Sequence, residues 1–436
     1  MSISNTSLLQ RSLASVWHPC TQMKQHEMLP LVPIKRGEGV WLEDFDGKRY
    51  LDGVSSWWVN LFGHNHPYIK QAITAQLDQL EHVILAGFTH EPVVRLSEQL
   101  SILTGLGHSF YASDGASATE IALKMSFHYW RNRGQLGKTR FLSLQNGYHG
   151  ETLGSLSVTD VALFKDTYAP LLRESVTLPS PDWRLAEAGE SAEQYALRCA
   201  RFAEEYIARH HDELAAVIVE PLVQCATGMA MYHPAYLQQL RGICDRYQVH
   251  LVADEIAVGF GRTGSMFATE QASIRPDFIC LSKGITGGYL PLSVVQTTDE
   301  IYAAFYDDNV TRGFLHSHSY TGNALACSAA LATLEIFAQQ DVLNSNRSKT
   351  EYLNYKLAVL ADLPVAHLRN LGMIWAFDVA PSQPGFQQRF YQAALQRGLL
   401  LRPVGNTVYF MPPYVISEAE MDWMLEQTLH ALKETI

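Results

Sequence analysis

The stretch Val249–Gly288 reads VHLVADEIAVGFGRTGSMFATEQASIRPDFICLSKGITGG. It holds two apolar runs, Val249–Ala253 and Asp277–Leu281, each of strand length. An ionisable residue follows each run: Asp254 after the first, Lys283 after the second. A glycine-rich segment, GFGRTG, lies between them. Buried strands that deliver an acid and a lysine to one place call for a chemical explanation.

The totals narrow the classes. The chain has 436 residues, enough for two domains rather than one. Hydrophobic residues make up 47% and charged residues 18%, the profile of a folded enzyme rather than a disordered chain. The net charge of −11 gives no electrostatic reason to bind nucleic acid or an anionic membrane, and neither is expected as a partner. None of the six cysteines forms a CxxC pair, so buried, reduced thiols in a cytoplasmic protein are expected, with no metal site. The N-terminal MSISNTSLLQRSLASVWHP lacks the basic and apolar regions of a secretory signal, and no apolar stretch has bilayer-spanning length.

Outward from the opening stretch, strands and helices alternate. HSFYASDG (His108–Gly115) reads as a strand ending in a turn; behind it Ala118, Ile121, Ala122, Met125 and Tyr129 recur at helical spacing. FLSLQ (Phe141–Gln145) is a strand running into NGYHGET, and LAAVIVEP (Leu214–Pro221) is another, ending at Glu220. The pattern predicts an α/β fold: a large domain with a mostly parallel sheet, whose ligands lie past the carboxyl ends of the strands. Tyr148, Glu220, Asp254 and Lys283 all stand there. Helices are expected at Pro67–Leu80, Glu91–Thr104, Ala192–Arg209 and Pro234–Tyr247, and an alanine-rich one from Gly322 or Asn323. The last hundred residues form a smaller α+β unit. The GVWLEDFDGKRYLDG hairpin (Gly39–Gly53), turning at Asp46-Gly47, is expected to join it. The expected division is 1–60 packing with the small domain, 61–335 as the large domain and 336–436 as the small domain.

Several residues have both a chemical and a plain reading. Lys283 is either a surface lysine or a desolvated nucleophile, and its SKGITGG setting leaves room for a bulky group to approach. The strand–Gly115–helix turn exposes backbone N–H groups at a dipole's positive end, a seat for phosphate, although most such turns bind nothing. Adjacent Trp57 and Trp58 cannot both enter one core from a regular element; they line a pocket or pack on the surface. Arg262 is a second cation near the lysine or a loop brace. Glu220 is an active-site acid or a cap partner. Pyridoxal 5′-phosphate asks a protein for an amine, an anion for its ring nitrogen and a phosphate seat. Lys283, Asp254 and the Gly115 turn answer those needs.

The combination DEIAVGFGRTG, PDFICLSKGITGG and a GN-containing turn before an alanine-rich helix resembles the class III aminotransferases of the fold-type I pyridoxal-phosphate enzymes. The resemblance spans nearly the whole chain. It implies a Schiff-base role for Lys283, a pyridinium partner in Asp254 and Tyr148 against the ring. It also implies phosphate contacts from Gly115 and Ala116, and a homodimer with sites at the subunit interface, where Ser319 and His318 reach the second subunit's cofactor. WHPCTQM, DGVSSWWVNLFGHNHP, NGYHGET and LRPVGNTVYFMPPY further resemble the biotin-pathway branch, which aminates 8-amino-7-oxononanoate to 7,8-diaminononanoate. By that resemblance Trp57 and Trp58 line the slot for the substrate chain, Arg402 holds its carboxylate, and Ser317 flanks the amino donor.

Three departures stand out. Cys20 takes the place of a tyrosine, and Ala116 that of a serine. HSHSYTGNA (His316–Ala324) replaces the HGPTFMGNP pattern of members that use S-adenosylmethionine. S-adenosylmethionine remains the expected donor, with lysine as the alternative. An ω-amino acid aminotransferase of the same class is the alternative activity.

Overall fold

The computed structural model describes residues 4–380 and 383–436. The chain divides into two compact units, Tyr68–Arg347 and a discontinuous one made of Met1–Pro67 and Ser348–Ile436. Both joints lie downstream of those expected at 60/61 and 335/336; the helix Val342–Lys356 straddles the second.

The larger unit is built on a seven-stranded sheet. In chain order its strands are β1 (His108–Ala112), β2 (Arg140–Leu144), β3 (Val176–Leu178), β4 (Leu214–Val219), β5 (His250–Asp254), β6 (Phe278–Leu281) and β7 (Ser293–Thr297). They lie side by side in the order β1-β7-β6-β5-β4-β2-β3. Strand β5 runs parallel to β4, with His250 opposite Ala216, and parallel to β6, with Asp254 opposite Cys280. Every residue of β4, β5, β6 and β7 is buried. That explains their near-continuous apolar runs: a parallel strand covered on both faces cannot alternate. Strand β7 is the exception in direction, antiparallel to both β6 and β1.

The helix Gly115–Asn132 covers this sheet. Its Ala118, Ile121, Ala122, Met125 and Tyr129 are buried in one cluster with Ala216, Ile218, Val252, Phe278, Cys280 and Val295 of the strands. Burying a large apolar side chain in this way contributes about 1.5–3 kcal/mol. The Asp114 carboxylate caps the helix by accepting from Ser117 N at 2.9 Å. Other helices follow the sequence closely. Glu91–Thr104 starts where His90 Nδ1 accepts from Val93 N and stops at left-handed Gly105. Ala324–Gln339 starts at Asn323, whose Oδ1 accepts from Ala326 N at 3.0 Å. Among the described residues no helix is long and apolar enough to cross a membrane. The six cysteines are free thiols, all buried except Cys20.

The discontinuous unit joins the two ends of the chain in one sheet. The hairpin Trp41–Asp44/Arg49–Asp52 turns through Gly47, which has a φ of 87°. Leu399–Leu400 then pairs parallel with Arg49–Asp52. A second sheet of three antiparallel strands holds Val365–Leu371, Ile374–Val379 and Thr407–Phe410. Its polar centre is Asp378. One carboxylate oxygen accepts from Arg369 (2.9 Å) and Thr407 Oγ1 (2.7 Å), and the other from His367 Nδ1 (2.9 Å). Burial pushes this carboxyl up, but Arg369, Thr407 and His367 outweigh burial and hold it at about 2.

Asp378→Asn leaves the buried Arg369 guanidinium without its carboxylate and should cost on the order of 3 kcal/mol at neutral pH. Since the folded value lies below the ordinary 3.8, this stabilisation is present above pH 4 and is lost as pH falls towards 2. Urea titrations at pH 7 and pH 3 check it: the gap between wild type and variant should shrink at the lower pH, and an equal gap at both contradicts the ion pair.

Candidate active site

The carboxyl ends of β4, β5 and β6 deliver Glu220, Asp254 and Lys283 to one side of the sheet. Two close approaches bring neighbouring loops to the same place. A Cβ on Gly115 would lie 3.0 Å from Ile256 Cγ2, so the turn after β1 sits against the segment after Asp254. A Cβ on Gly150 would lie 2.5 Å from that of Ala116, so the Tyr148–Gly150 loop rests on the same turn. Only glycine permits that contact, and its φ of 122° also needs glycine.

Asp254 is buried and held from two sides. One oxygen accepts from Ile256 N at 3.1 Å, and the other accepts from His149 Nδ1 at 2.8 Å. His149 is itself buried, and its backbone N–H donates to Thr159 Oγ1 at 3.0 Å. A carboxylate held in this way has a fixed orientation. Glu220 accepts from the backbone N–H of Tyr148 at 2.9 Å and of Cys225 at 3.1 Å, one on each oxygen. Burial pushes Glu220 up to about 7, against the opposing pull of His149 and those two N–H groups. Tyr148 is half-buried, meets Phe164 edge-on and donates from its hydroxyl to Glu151 at 2.9 Å.

Lys283 stands in a left-handed conformation with a φ of 44°. Desolvation lowers its pKa from the ordinary lysine value, and the carboxyl groups of Asp254 and Glu220 act in the other direction. An amine with a lowered pKa is unprotonated more of the time and hence more nucleophilic. Arg262 is buried at 1% exposure, near enough for its charge to act on the Cys225 thiol. At the start of the helix Gly115–Asn132, the Asp114 side chain takes Ser117 N. Gly115 and Ala116 open this helix, in the turn whose backbone N–H groups have no intrahelical acceptor. The larger unit therefore gathers an amine, a fixed carboxylate and helix-start N–H donors.

The other expected site residues lie elsewhere. Ser317 and Ser319 are exposed on a turn of their own. That turn is braced by Lys124 Nζ to His316 Nδ1 (2.8 Å), His316 to His318 (3.2 Å) and His82 to the Ser319 carbonyl (2.7 Å). In the smaller unit Trp57 is 44% exposed, with the Arg402 guanidinium 5.0 Å from its ring centre. Arg402 also lies 3.5 Å from the Cys20 carbonyl. Trp58 turns inward, 5% exposed, and its Nε1 donates to Tyr409 at 3.1 Å. Adjacent rings separate in this way because Ser55, Ser56, Trp57 and Trp58 all have positive φ. Each such residue is disfavoured by about 1–2 kcal/mol. His149 went unnoticed in the sequence; its only signal was a position between Gly147 and Gly150.

Residues 21–432 match the family described as aminotransferase class-III. The chain belongs to that family. It is 46% identical over 425 residues to an adenosylmethionine-8-amino-7-oxononanoate aminotransferase of Helicobacter pylori, covering 95% of each chain. The solved structure of the enzyme with that name from Methanocaldococcus jannaschii superposes with a TM-score of 0.93 at 36% identity, over 99% of both chains. An (S)-enantioselective omega-transaminase from Thermomicrobium roseum superposes with a TM-score of 0.94 at 30% identity, over 100% of this chain and 99% of that one. Class III aminotransferases use pyridoxal 5′-phosphate. The desolvated amine, the fixed carboxylate and the helix-start N–H donors of this chain fit that cofactor.

Glu220→Gln sets an amide NH2 against the N–H of Tyr148 or Cys225 and should cost about 1–3 kcal/mol. Between the ordinary 4.5 and about 7, the folded protein keeps a proton on Glu220 that the unfolded chain has lost. Wild-type stability therefore falls with rising pH in that window. Thermal unfolding at pH 5 and pH 7 should show the gap between wild type and variant narrowing at the higher pH; a gap that widens rules the assignment out.

Proposed function

We propose that the chain transfers an amino group to 8-amino-7-oxononanoate, giving 7,8-diaminononanoate for biotin synthesis, with S-adenosylmethionine as donor. The observation that carries this reading is the Arg402 guanidinium over the exposed Trp57 ring. A nine-carbon keto acid needs an apolar wall and one cation far from its reacting carbonyl, and a guanidinium suits a carboxylate bidentately. The names of the Helicobacter and Methanocaldococcus relatives support the same substrate.

Each residue then has a role. Lys283 would hold the cofactor, and its amine is the group placed to move a proton at the substrate carbon. Bound pyridoxal phosphate supplies the electron sink for negative charge at that carbon. Asp254, fixed by His149, would partner the ring nitrogen, and Tyr148 would face the ring. Gly115 and Ala116 bind the phosphate through backbone N–H groups at the helix start. Trp57 lines the chain's path, with Trp58 anchored inward against Tyr409 rather than lining it as expected; Arg402 takes the substrate's carboxylate and Cys20 borders that end. Arg262 and Glu220 brace the cofactor loops. The protein works in the cytoplasm as a homodimer in which Ser319 and His318 reach the second subunit's phosphate and Ser317 flanks the donor. Exposed Ile84, Phe88, Leu315 and Tyr320 are apolar side chains that a second copy would cover.

The likeness to an omega-transaminase favours a second reading, an ω-amino acid aminotransferase. Assays with pure protein separate the two. Lys283→Ala should lose the visible absorption of the lysine-bound cofactor and all turnover. The wild type should convert 8-amino-7-oxononanoate with S-adenosylmethionine and not with lysine. Turnover with lysine alone would move the donor assignment, and turnover only with pyruvate and ω-amino acids would replace the substrate.

A further inference from the structure

Ser55, Ser56, Trp57 and Trp58 have φ values of 50°, 46°, 73° and 72°. They form a helical turn of the wrong hand for L-residues, with no glycine to ease it. Its backbone closes as a helix does: Trp58 N donates to Val54 O at 2.9 Å, and Val59 N to Ser55 O at 3.0 Å. Such a turn persists only where its surroundings over-determine it, and one carboxylate dominates those surroundings. Asp52 is wholly buried at the end of the strand Arg49–Asp52. Its Oδ1 accepts from Ser56 N at 2.9 Å, and its Oδ2 accepts from Ser56 Oγ at 2.7 Å and His64 Nε2 at 3.0 Å. His64 is fastened in turn. Its backbone exchanges two hydrogen bonds with Gly39, of 2.7 and 3.1 Å, and its Nδ1 accepts from Asn60 Nδ2 at 3.2 Å. A Cβ on Gly37 would lie 2.7 Å from that of His64, so the strand Ile34–Glu38 also presses on the imidazole.

We propose that Asp52 and His64 are positioning residues for substrate selection: a buried carboxylate–imidazole clamp that holds a left-handed turn and thereby sets the Trp57 ring beside Arg402. The inference rests on the preceding reading of Trp57 as a wall of the keto-acid path. Trp58 serves as the inward anchor through Tyr409, and Ser55 Oγ donates to the Met411 carbonyl at 2.7 Å. With those two ends fixed, Ser56 is where the clamp grips the turn. Without the clamp, the chain relaxes towards negative φ and Trp57 leaves the guanidinium.

The test uses the holoenzyme and its steady-state constants for 8-amino-7-oxononanoate. Asp52→Asn should raise KM for the keto acid roughly tenfold with much less change in kcat, because the Trp57 wall contributes binding shared by ground and transition states. Ser56→Gly in the same chain should recover most of that loss, because glycine takes the left-handed conformation unaided. In a Trp57→Ala background, Asp52→Asn should add little, since both changes remove one wall. If Trp57→Ala raises KM and Asp52→Asn does not, or if their effects simply add, the clamp is refuted and the reading of Trp57 stands. If Trp57→Ala leaves KM unchanged, the substrate reading of Trp57 fails first. Should Asp52→Asn not retain cofactor absorption, His64→Leu is read by the same criteria. A merely structural clamp would lower stability without the KM shift or the glycine rescue.

Discussion

A lysine amine stripped of water at the end of a buried strand is the constraint on which the rest of this protein turns. Desolvation favours its neutral, nucleophilic form. The carboxyl groups of Asp254 and Glu220 bear on it from the ends of neighbouring strands. That balance depends on register. Asp254 pairs with Cys280, three residues before Lys283, so a one-residue slip of β6 would turn its side chains to the opposite face. Parallel strands buried on both faces hold that register through continuous apolar packing, and this is why the sheet, rather than the loops, fixes the chemistry.

The carboxylate beside the lysine shows the same economy. Asp254 takes a hydrogen bond from its own loop at Ile256 and another from His149, 105 residues away. Two glycines bring the turn after β1 and the Tyr148–Gly150 loop against that end of the sheet. Electrostatic stabilisation works best when its groups are fixed before the reaction, and each charged group here has a partner that fixes it. The smaller unit solves a different problem. It must present an aromatic ring and a cation outward, and it does so by holding four residues in a disfavoured backbone conformation.

Much of this was legible from residue order. Strands β4, β5 and β6 appeared as apolar runs ending in ionisable residues, because burial on both faces removes alternation. The helix Glu91–Thr104 was legible from its amphipathic spacing, and left-handed Gly105 ends it. The Asp46-Gly47 hairpin was plain from turn chemistry. Other features were not legible. The partnership of His149 with Asp254 is a tertiary contact across distant segments. The left-handed turn at Ser55–Trp58 has no glycine to announce it; its cause lies in Asp52 and His64 rather than in the turn. Adjacent tryptophans indicated that no regular element fitted there, but not that one ring would be buried against Tyr409 and the other exposed beside Arg402.

The most direct measurement mixes the holoenzyme with 7,8-diaminononanoate alone, in a single turnover with no other amine or keto acid present. The account predicts loss of the visible cofactor absorption, with one equivalent of 8-amino-7-oxononanoate released per active site. An unchanged spectrum with the diamine, together with bleaching by a short ω-amino acid such as β-alanine, would contradict it.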